Sequence, residues 1–576
     1  MGVIFSTPTL AADAPLRHLC GRVWLQGDLK LRLGEGERTL LCGSAEGKRQ
    51  DPWAEPWRNI PLRQARHEAA LILQDRGYFH SNLIEWPDGR RILDPGQPTR
   101  ISTLEVEGAV PGLDWRHRRG WLGGLLTPGR LNEIEGAFVE QLKHLGYACA
   151  TARSEADSES GRVRVVLTAG PALKIFEVQR EPGMGVGGRV FSRFEPFQEG
   201  DLFDGREMVL ASRRAVDSGT ILASRYRAEC EPEGVRLFHE VLPGKPRLLT
   251  AGFGVDTEGG PVIRGAWLHA RQGRAGDRTR VSLLATSRTQ SLRGDIAIHP
   301  WPEMPRGKVE PQAGFQRRSE TDFEEVSWSG ALKGGRTWDF ESLSSEAQMG
   351  PSLEVIRTVR GPGREQSRFW SWNAELQGWS RDWEFFRADP RSGARAGLTW
   401  SGSWRELGSD FTAQRWRMEG VGLWNWGGIE PPTFVLGLRG ALAVTGVDER
   451  DALSRGIPAT LRQYLGGGQS LRGFGRLEIP ASGIALSSAF LSGELRLARG
   501  RSTGVQPLVF LDLGVLGDAP WKWRLPLFGS PGVGFRWASP VGTLRAALAH
   551  GGIWLGGEAP GQRTHPQLYL SLGEEF

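Results

Sequence analysis

From Arg247 to Phe576, apolar residues recur at every second position in short runs parted by Gly, Asp, Pro and Ser. A period of two is that of a β-strand whose two faces meet different surroundings. In the closing run Leu568, Leu570, Leu572 and Phe576 share one parity, so one sheet face carries the apolar side chains. The chain holds no run near the roughly 20 consecutive apolar residues that a membrane-spanning helix requires. Membrane strands of about 9–11 residues alternate and average to modest hydropathy, so this leaves a membrane barrel open. About 330 residues, at about 20 per strand and loop, predict about 16 antiparallel transmembrane strands enclosing a lumen.

Tryptophan placement points the same way. Of the 23 Trp, 6 precede residue 247 and 17 follow it, with Trp370, Trp372, Trp379, Trp383, Trp400, Trp404, Trp416, Trp424 and Trp426 the densest group. Such rings suit a membrane–water interface. A soluble sandwich or propeller would use them as core, but a terminal aromatic on a parity-matched strand favours the membrane barrel.

The first 246 residues repeat an α+β pattern three times. Amphipathic helices end at Gly77, Gly146 and Gly219, at offsets of 69 and 73 residues. Glycine at a helix C-terminus takes the left-handed conformation and lets the next residue turn into the core. Leu62, Ala65, Ala69 and Ile72 share one helical face, as do Leu131, Ile134, Phe138 and Leu142. Opening strands are expected at Val23–Leu25, Ile101–Val106 and Ile175–Val178. Joints rich in Gly and Pro divide the chain into modules at 15–99, 100–170 and 171–246, with the barrel at 247–576. Each module presents a sheet edge that could pair with an extended client strand.

Four cysteines, Cys20, Cys42, Cys149 and Cys230, all lie in the modular part. Their spacing contains no CxxC, so no metal site is expected, and an even number fits disulfides in an oxidising compartment. Cys20–Cys42 is the preferred pair, as a staple between two neighbouring strands. Residues 1–14 resemble the tail of a secretory signal, with small residues near a cleavage point. The net charge of +6 comes from Arg scattered among Asp and Glu, which argues against a nucleic-acid partner. There is no HExxH, the ten His are dispersed, and the glycine clusters lack the context of a phosphate loop. No catalytic residue and no cofactor are therefore expected.

The run Gly466-Gly467-Gly468-Gln469-Ser470-Leu471-Arg472-Gly473-Phe474 sets one arginine in an otherwise uncharged, glycine-rich segment between strands. A guanidinium there is costly unless solvated or paired. Glu494 and Asp512, in the next two strands, are candidate partners. If the loop, about 447–485, folds back into the lumen, a bidentate pair would lock it to the wall.

At these residues the chain resembles the outer-membrane insertases and two-partner-secretion transporters, built from POTRA domains and a sixteen-stranded barrel. Leu471-Arg472-Gly473-Phe474 is similar to that family's lumen-loop signature, usually written (V/I)RG(Y/F), with Leu in place of Val or Ile. Phe510 to Gly514 is similar to its FxDxG strand, and Gly532 to Trp537 with Ser539-Pro540-Val541-Gly542 to its GxGxRWxSPxG segment. Three modules and this length look most like the TamA branch. The resemblance implies that Arg472 pairs with Asp512, and with Glu494, inside the barrel. It also implies a lateral gate between a first strand of about Leu248–Thr257, containing Gly252 and Gly254, and a last strand of about Gln567–Phe576. The partners implied are client outer-membrane proteins or autotransporters, outer-membrane lipid, and a TamB-like periplasmic partner anchored in the inner membrane. An assembly and translocation factor is the leading expectation, with the modules in the periplasm. A channel exporting one dedicated protein is the rival, and a passive porin would not need the modules.

Overall fold

The computed structural model describes residues 15–27, 31–42, 61–113, 118–180, 188–273, 275–340, 342–385, 391–426, 433–448, 456–480, 484–498, 504–539, 542–556 and 566–573. The signal-like residues 1–14 and Phe576 lie outside them. The chain divides into two compact units, Met1–Leu173 and Lys174–Phe576.

In the first unit, β1 (Leu16–Cys20), β2 (Val23–Gln26), β3 (Asn82–Glu85) and β4 (Arg91–Asp94) form a sheet in the order β1-β2-β4-β3. Helices α1 (Glu35–Cys42) and α2 (Leu62–Gln74) accompany it, and Ala65, Ala69, Ile72 and Leu73 pack with Val23, Leu25, Leu83 and Leu93. The Cys20–Cys42 disulfide forms, but it joins the end of β1 to the end of α1, not two strands. The segment before Cys42 is helical and buries Leu41, which turns the thiol toward the strand. Cys149 and Cys230 are also disulfide-bonded.

A second sheet has the order β5-β7-β6, from β5 (Thr103–Glu107), β6 (Thr151–Ala156) and β7 (Arg162–Thr168). After the short α3 (Arg118–Trp121) comes α4 (Pro128–His144). Proline at its first turn is already constrained to helical φ, and the Thr127 hydroxyl accepts from the Arg130 N–H. Ile134, Phe138 and Leu142 then pack on Val163 and Val165.

The second unit opens with β8 (Ile175–Arg180), α5 (Gly205–Asp217), β9 (Ala223–Glu231) and β10 (Gly234–Leu242), in the sheet order β8-β10-β9. Apart from the extra edge strand β1, all three sheets share one wiring. The opening strand lies parallel to the closing one (β2 with β4, β5 with β7, β8 with β10), which pairs antiparallel with the strand before it.

The barrel begins with β11 (Arg247–Asp256), β12 (Gly260–Gln272), β13 (Asp277–Ala285), β14 (Thr289–Ala297) and β15 (Gly307–Ser319). It continues through β16 (Glu324–Asp339), β17 (Leu343–Arg360), β18 (Gln366–Ser380), β19 (Gly393–Ser403), β20 (Ala413–Trp426) and β21 (Thr433–Val447). It ends with β22 (Ser487–Ala498), β23 (Val505–Ala519), β24 (Lys522–Ser539), β25 (Gly542–His550), β26 (Gly552–Leu555) and β27 (Pro566–Gly573). Every strand is antiparallel to its neighbours, and β25 and β26 both pair with β24 as two segments of one strand broken at Gly551, giving sixteen strands and a closed ring. The alternation resolves into two faces. Leu283, Leu292, Trp328, Leu332, Trp370, Trp372, Met418 and Trp424 stand exposed on one parity, where lipid would cover them. The other parity carries ion pairs such as Lys308 with Glu310 (2.7 Å) and Glu346 (2.9 Å). Trp379 departs from the expected girdle, donating its indole N–H to Glu384 (3.0 Å).

The third module seats on the barrel through α5. Arg214 holds Asp339 at the end of β16 with both η nitrogens (2.9 and 3.0 Å). It also holds Glu384 on the short α6 (Arg381–Phe385) through Nε (2.5 Å) and Nη2 (2.7 Å). Arg306 (3.0 Å) and Arg381 (3.4 Å) complete the shell around Asp339, whose side chain is almost wholly buried. Removing one partner of such a pair leaves a buried charge uncompensated, so the cage fixes the module's pose.

Within that module His239 is 1% exposed, stacked on Tyr226 at 4.1 Å, with Nε2 2.8 Å from the Ser224 hydroxyl. Burial, with Arg180 nearby, pushes its pKa down to about 4 from 6.5. A depressed pKa means that the folded module binds fewer protons than the unfolded one. The stability contributed is therefore complete above pH 6.5 and lost as pH falls toward 4, by up to roughly 3 kcal/mol. Protection from hydrogen exchange over β8–β10, taken relative to the intrinsic rate at each pH, is expected to fall between pH 6.5 and 4.5, and His239→Gln to flatten that dependence. An unchanged pH profile in the variant would contradict this.

Candidate functional site

The loop between β21 and β22 returns into the barrel, and the glycine–arginine run forms its tip. Arg472 is 5% exposed and makes four side-chain hydrogen bonds. Its backbone N–H and Nε both donate to Asp512 Oδ2 (3.0 and 2.9 Å), and Nη2 donates to Oδ1 (2.7 Å). Nη1 reaches Glu494 (2.9 Å), and Nη2 also reaches the Ser492 hydroxyl (3.0 Å). The guanidinium carbon lies 3.3 Å from the Phe510 ring centroid, so the cation rests on the negative face of the ring. Asp512 is 0% exposed, and Glu494 is shared with Arg496 (2.6 Å) and Arg545 (3.5 Å).

Local sequence explains why these groups converge. Ser492 and Glu494 on β22, and Phe510 and Asp512 on β23, occupy alternate positions and therefore share one face. Ser492 pairs in register with Asp512, and Glu494 with Phe510. Gly514 continues that face, and a side chain there would strike Leu471. Gly532 on β24 plays the same part for the Phe510 ring. Gly473 and Gly551 meet backbone to backbone, with no room for a Cβ on either. Leu471 and Phe474 pack with Leu465, Ile479 and Phe528 as an apolar collar around the ionic group.

Further contacts spread round the barrel. Arg476 pairs with Glu320 between β15 and β16 (2.8 Å), and Glu325 on β16 accepts from the Ala459 N–H (2.8 Å) and the Thr460 hydroxyl (2.9 Å). Gly468 N–H donates to Glu258, in the turn after β11 (3.0 Å). The Tyr569 hydroxyl on β27 donates to the Phe474 carbonyl (2.6 Å).

The ring closes between β11 and β27. β11 meets β12 over ten residue pairs, but meets β27 at two, Val255–Leu572 and Asp256–Ser571. Thr257 N–H adds a bond to the Leu570 carbonyl (3.0 Å). The rest of β11, including Gly252 and Gly254, has no strand on that side among the described residues, and Leu249 (76%) and Phe253 (77%) are its most exposed side chains. Leu568, Leu570 and Leu572 lie on the outward parity of β27, which pairs with β25 over eight residues.

Sequence reasoning therefore named Arg472, Gly473, Phe474, Glu494 and Asp512, which the fold brings together. It missed Ser492, Glu320, Glu258 and Tyr569. The Ser492 register was readable once β22 and β23 were placed; the others depend on barrel closure and carry no local signal. Arg472→Asp or Asp512→Arg alone is expected to cost about 3–5 kcal/mol, read as a lower temperature of heat-modified migration of the folded barrel. The double swap restores opposite charges and is expected to recover part of that loss. A double variant no better than either single would contradict the pairing.

Residues 315–576 match the model of the Omp85 superfamily domain. Among solved structures, the chain is similar to BamA from Haemophilus ducreyi lacking POTRA domains 1–3, at 14% identity and a TM-score of 0.50, over 81% of this chain and 99% of that one. It also matches CdiB from Acinetobacter baumannii (11% identity, TM-score 0.47, 83% of this chain and 90% of that one). CdiB from Escherichia coli matches at 12% identity and a TM-score of 0.47, over 90% of this chain and all of that one. The matched domain covers the loop tip, both partner carboxylates and the last strand, and a closed sixteen-stranded barrel of this kind resides in the outer membrane. The segment 315–576, which holds the loop tip and the closing strands, is thus an Omp85 superfamily domain.

Proposed function

We propose that the chain assembles client proteins in the outer membrane, or passes autotransporter-type clients across it, by opening the β11–β27 seam toward lipid. Outer-membrane insertion or translocation is the general work of the superfamily; the lateral route and the client class are our reading. The observation that carries it is the two-pair seam, beside which the rest of the β11 edge has no strand partner among the described residues. An unpaired backbone edge in an apolar medium is expensive, and a client strand would satisfy it by β-augmentation. No covalent chemistry is needed, because client burial and backbone pairing supply the free energy. The three α+β modules, as POTRA domains at 15–99, 100–170 and 171–246 in the periplasm, would receive clients on their sheet edges or dock a TamB-like partner anchored in the inner membrane.

Val255→Cys with Leu572→Cys places a thiol on each lip at a paired position of the seam. Oxidation is expected to abolish client assembly, and either single variant to leave it intact. Full activity of the cross-linked protein would contradict a lateral route. Depletion of the chain is expected to lower several outer-membrane barrel proteins together, whereas loss of one secreted protein alone would favour a dedicated export channel.

A further inference from the structure

We propose that the lumen loop is itself the fastener of the seam, holding both lips through one continuous chain of hydrogen bonds. This rests on the gate reading given above and concerns what keeps that gate shut. On the β27 side, the Tyr569 hydroxyl donates to the Phe474 carbonyl (2.6 Å). The same carbonyl accepts from the Gly467 N–H (2.9 Å). The next amide, Gly468 N–H, donates to Glu258 Oε1 in the turn that ends β11 (3.0 Å). The path from lip to lip thus runs through three hydrogen bonds and one peptide unit.

The glycine run makes that path possible. Gly467 sits at φ +99°, and a Cβ on it would overlap the Glu258 carboxylate. A Cβ on Gly468 would lie between the same carboxylate and the Tyr569 ring. Glu258 is steadied from behind, because Arg288 Nε donates to its backbone carbonyl (2.9 Å) and Ser287 N–H to the Gly259 carbonyl (3.0 Å). The loop is in turn anchored to β22 and β23 by Arg472, away from either lip. Two direct register pairs are therefore supplemented by a clamp whose grip depends on the loop staying in its seat. Opening the seam requires the loop tip to release Glu258, Tyr569 or both, and a client that displaces the loop would unfasten the seam.

Hydrogen exchange of the full-length protein in lipid nanodiscs tests this without any client. Tyr569→Phe removes the hydroxyl, and Glu258→Ala removes the accepting carboxylate. Each is expected to speed exchange of the β11 and β27 amides near Val255 and Leu572 about five-fold, as for loss of one net hydrogen bond. Because either cut severs the same chain, the double variant should exchange little faster than the singles. Peptides from β16 and β17, across the barrel, should be unchanged and report that it remains folded. Faster exchange confined to the loop, with the seam as slow as wild type, would overturn the proposal. So would two effects that multiply. The readout is independent of client assembly: an active cross-linked Val255→Cys/Leu572→Cys protein would sink the gate reading while leaving the fastener intact.

Discussion

The barrel depends on one buried cation. Arg472 brings a full charge into the lumen wall, where an uncompensated guanidinium would cost several kcal/mol. The cost is offset by three donor contacts to Asp512, one to Glu494, one to Ser492 and the face of Phe510. Every group in that shell belongs to β22 or β23 and lies on one face, so the arginine reads their register. A one-residue slip of either strand would turn a carboxylate to lipid and leave the cation stranded. The ionic cluster thus specifies how the final strands align, and it fixes a long loop that would otherwise have many conformations.

From that anchor the rest of the site follows. With Arg472 seated, Gly473 presses on Gly551, Phe474 meets Phe528 and accepts from Tyr569 on β27, and the Gly468 N–H reaches Glu258 after β11. The closing strands are paired over only two residues, so contacts from the loop matter there more than they would beside a complete ladder. At the other end of the second unit, Arg214 plays a comparable part, seating the third module by two carboxylates from separate turns of the barrel. In both places a planar, always-charged fork binds two acids at once, which a lysine would do less well.

The parts of this structure that were legible in the sequence are those set by local periodicity and by turn chemistry. Gly77, Gly146 and Gly219 marked helix ends, and all three take positive φ. The parity of Leu568, Leu570 and Leu572 gave the outward face of the last strand. Arg472 with Asp512 was reached because a charge in an uncharged segment demands a partner, and the resemblance supplied which one. The Cys20–Cys42 bond was found, but its partner element was misread, since a short helix of eight residues left little periodic signal. Glu258 and Tyr569 were out of reach, because they are separated from the loop by 210 and 95 residues and meet it only when the ring closes. The Arg214 cage was missed for the same reason, its acids lying 125 and 170 residues away in turns that look ordinary.

The central claim is that the exposed edge of β11 receives client strands. Its most direct measurement is photo-crosslinking from a benzoyl-phenylalanine placed at Leu249 or Phe253, compared with one at Leu332, an exposed outward residue of β16. Adducts with outer-membrane barrel clients from the two β11 positions, and none from Leu332, are the outcome expected. Equal yields from all three positions, or adducts with lipid alone, would contradict the account.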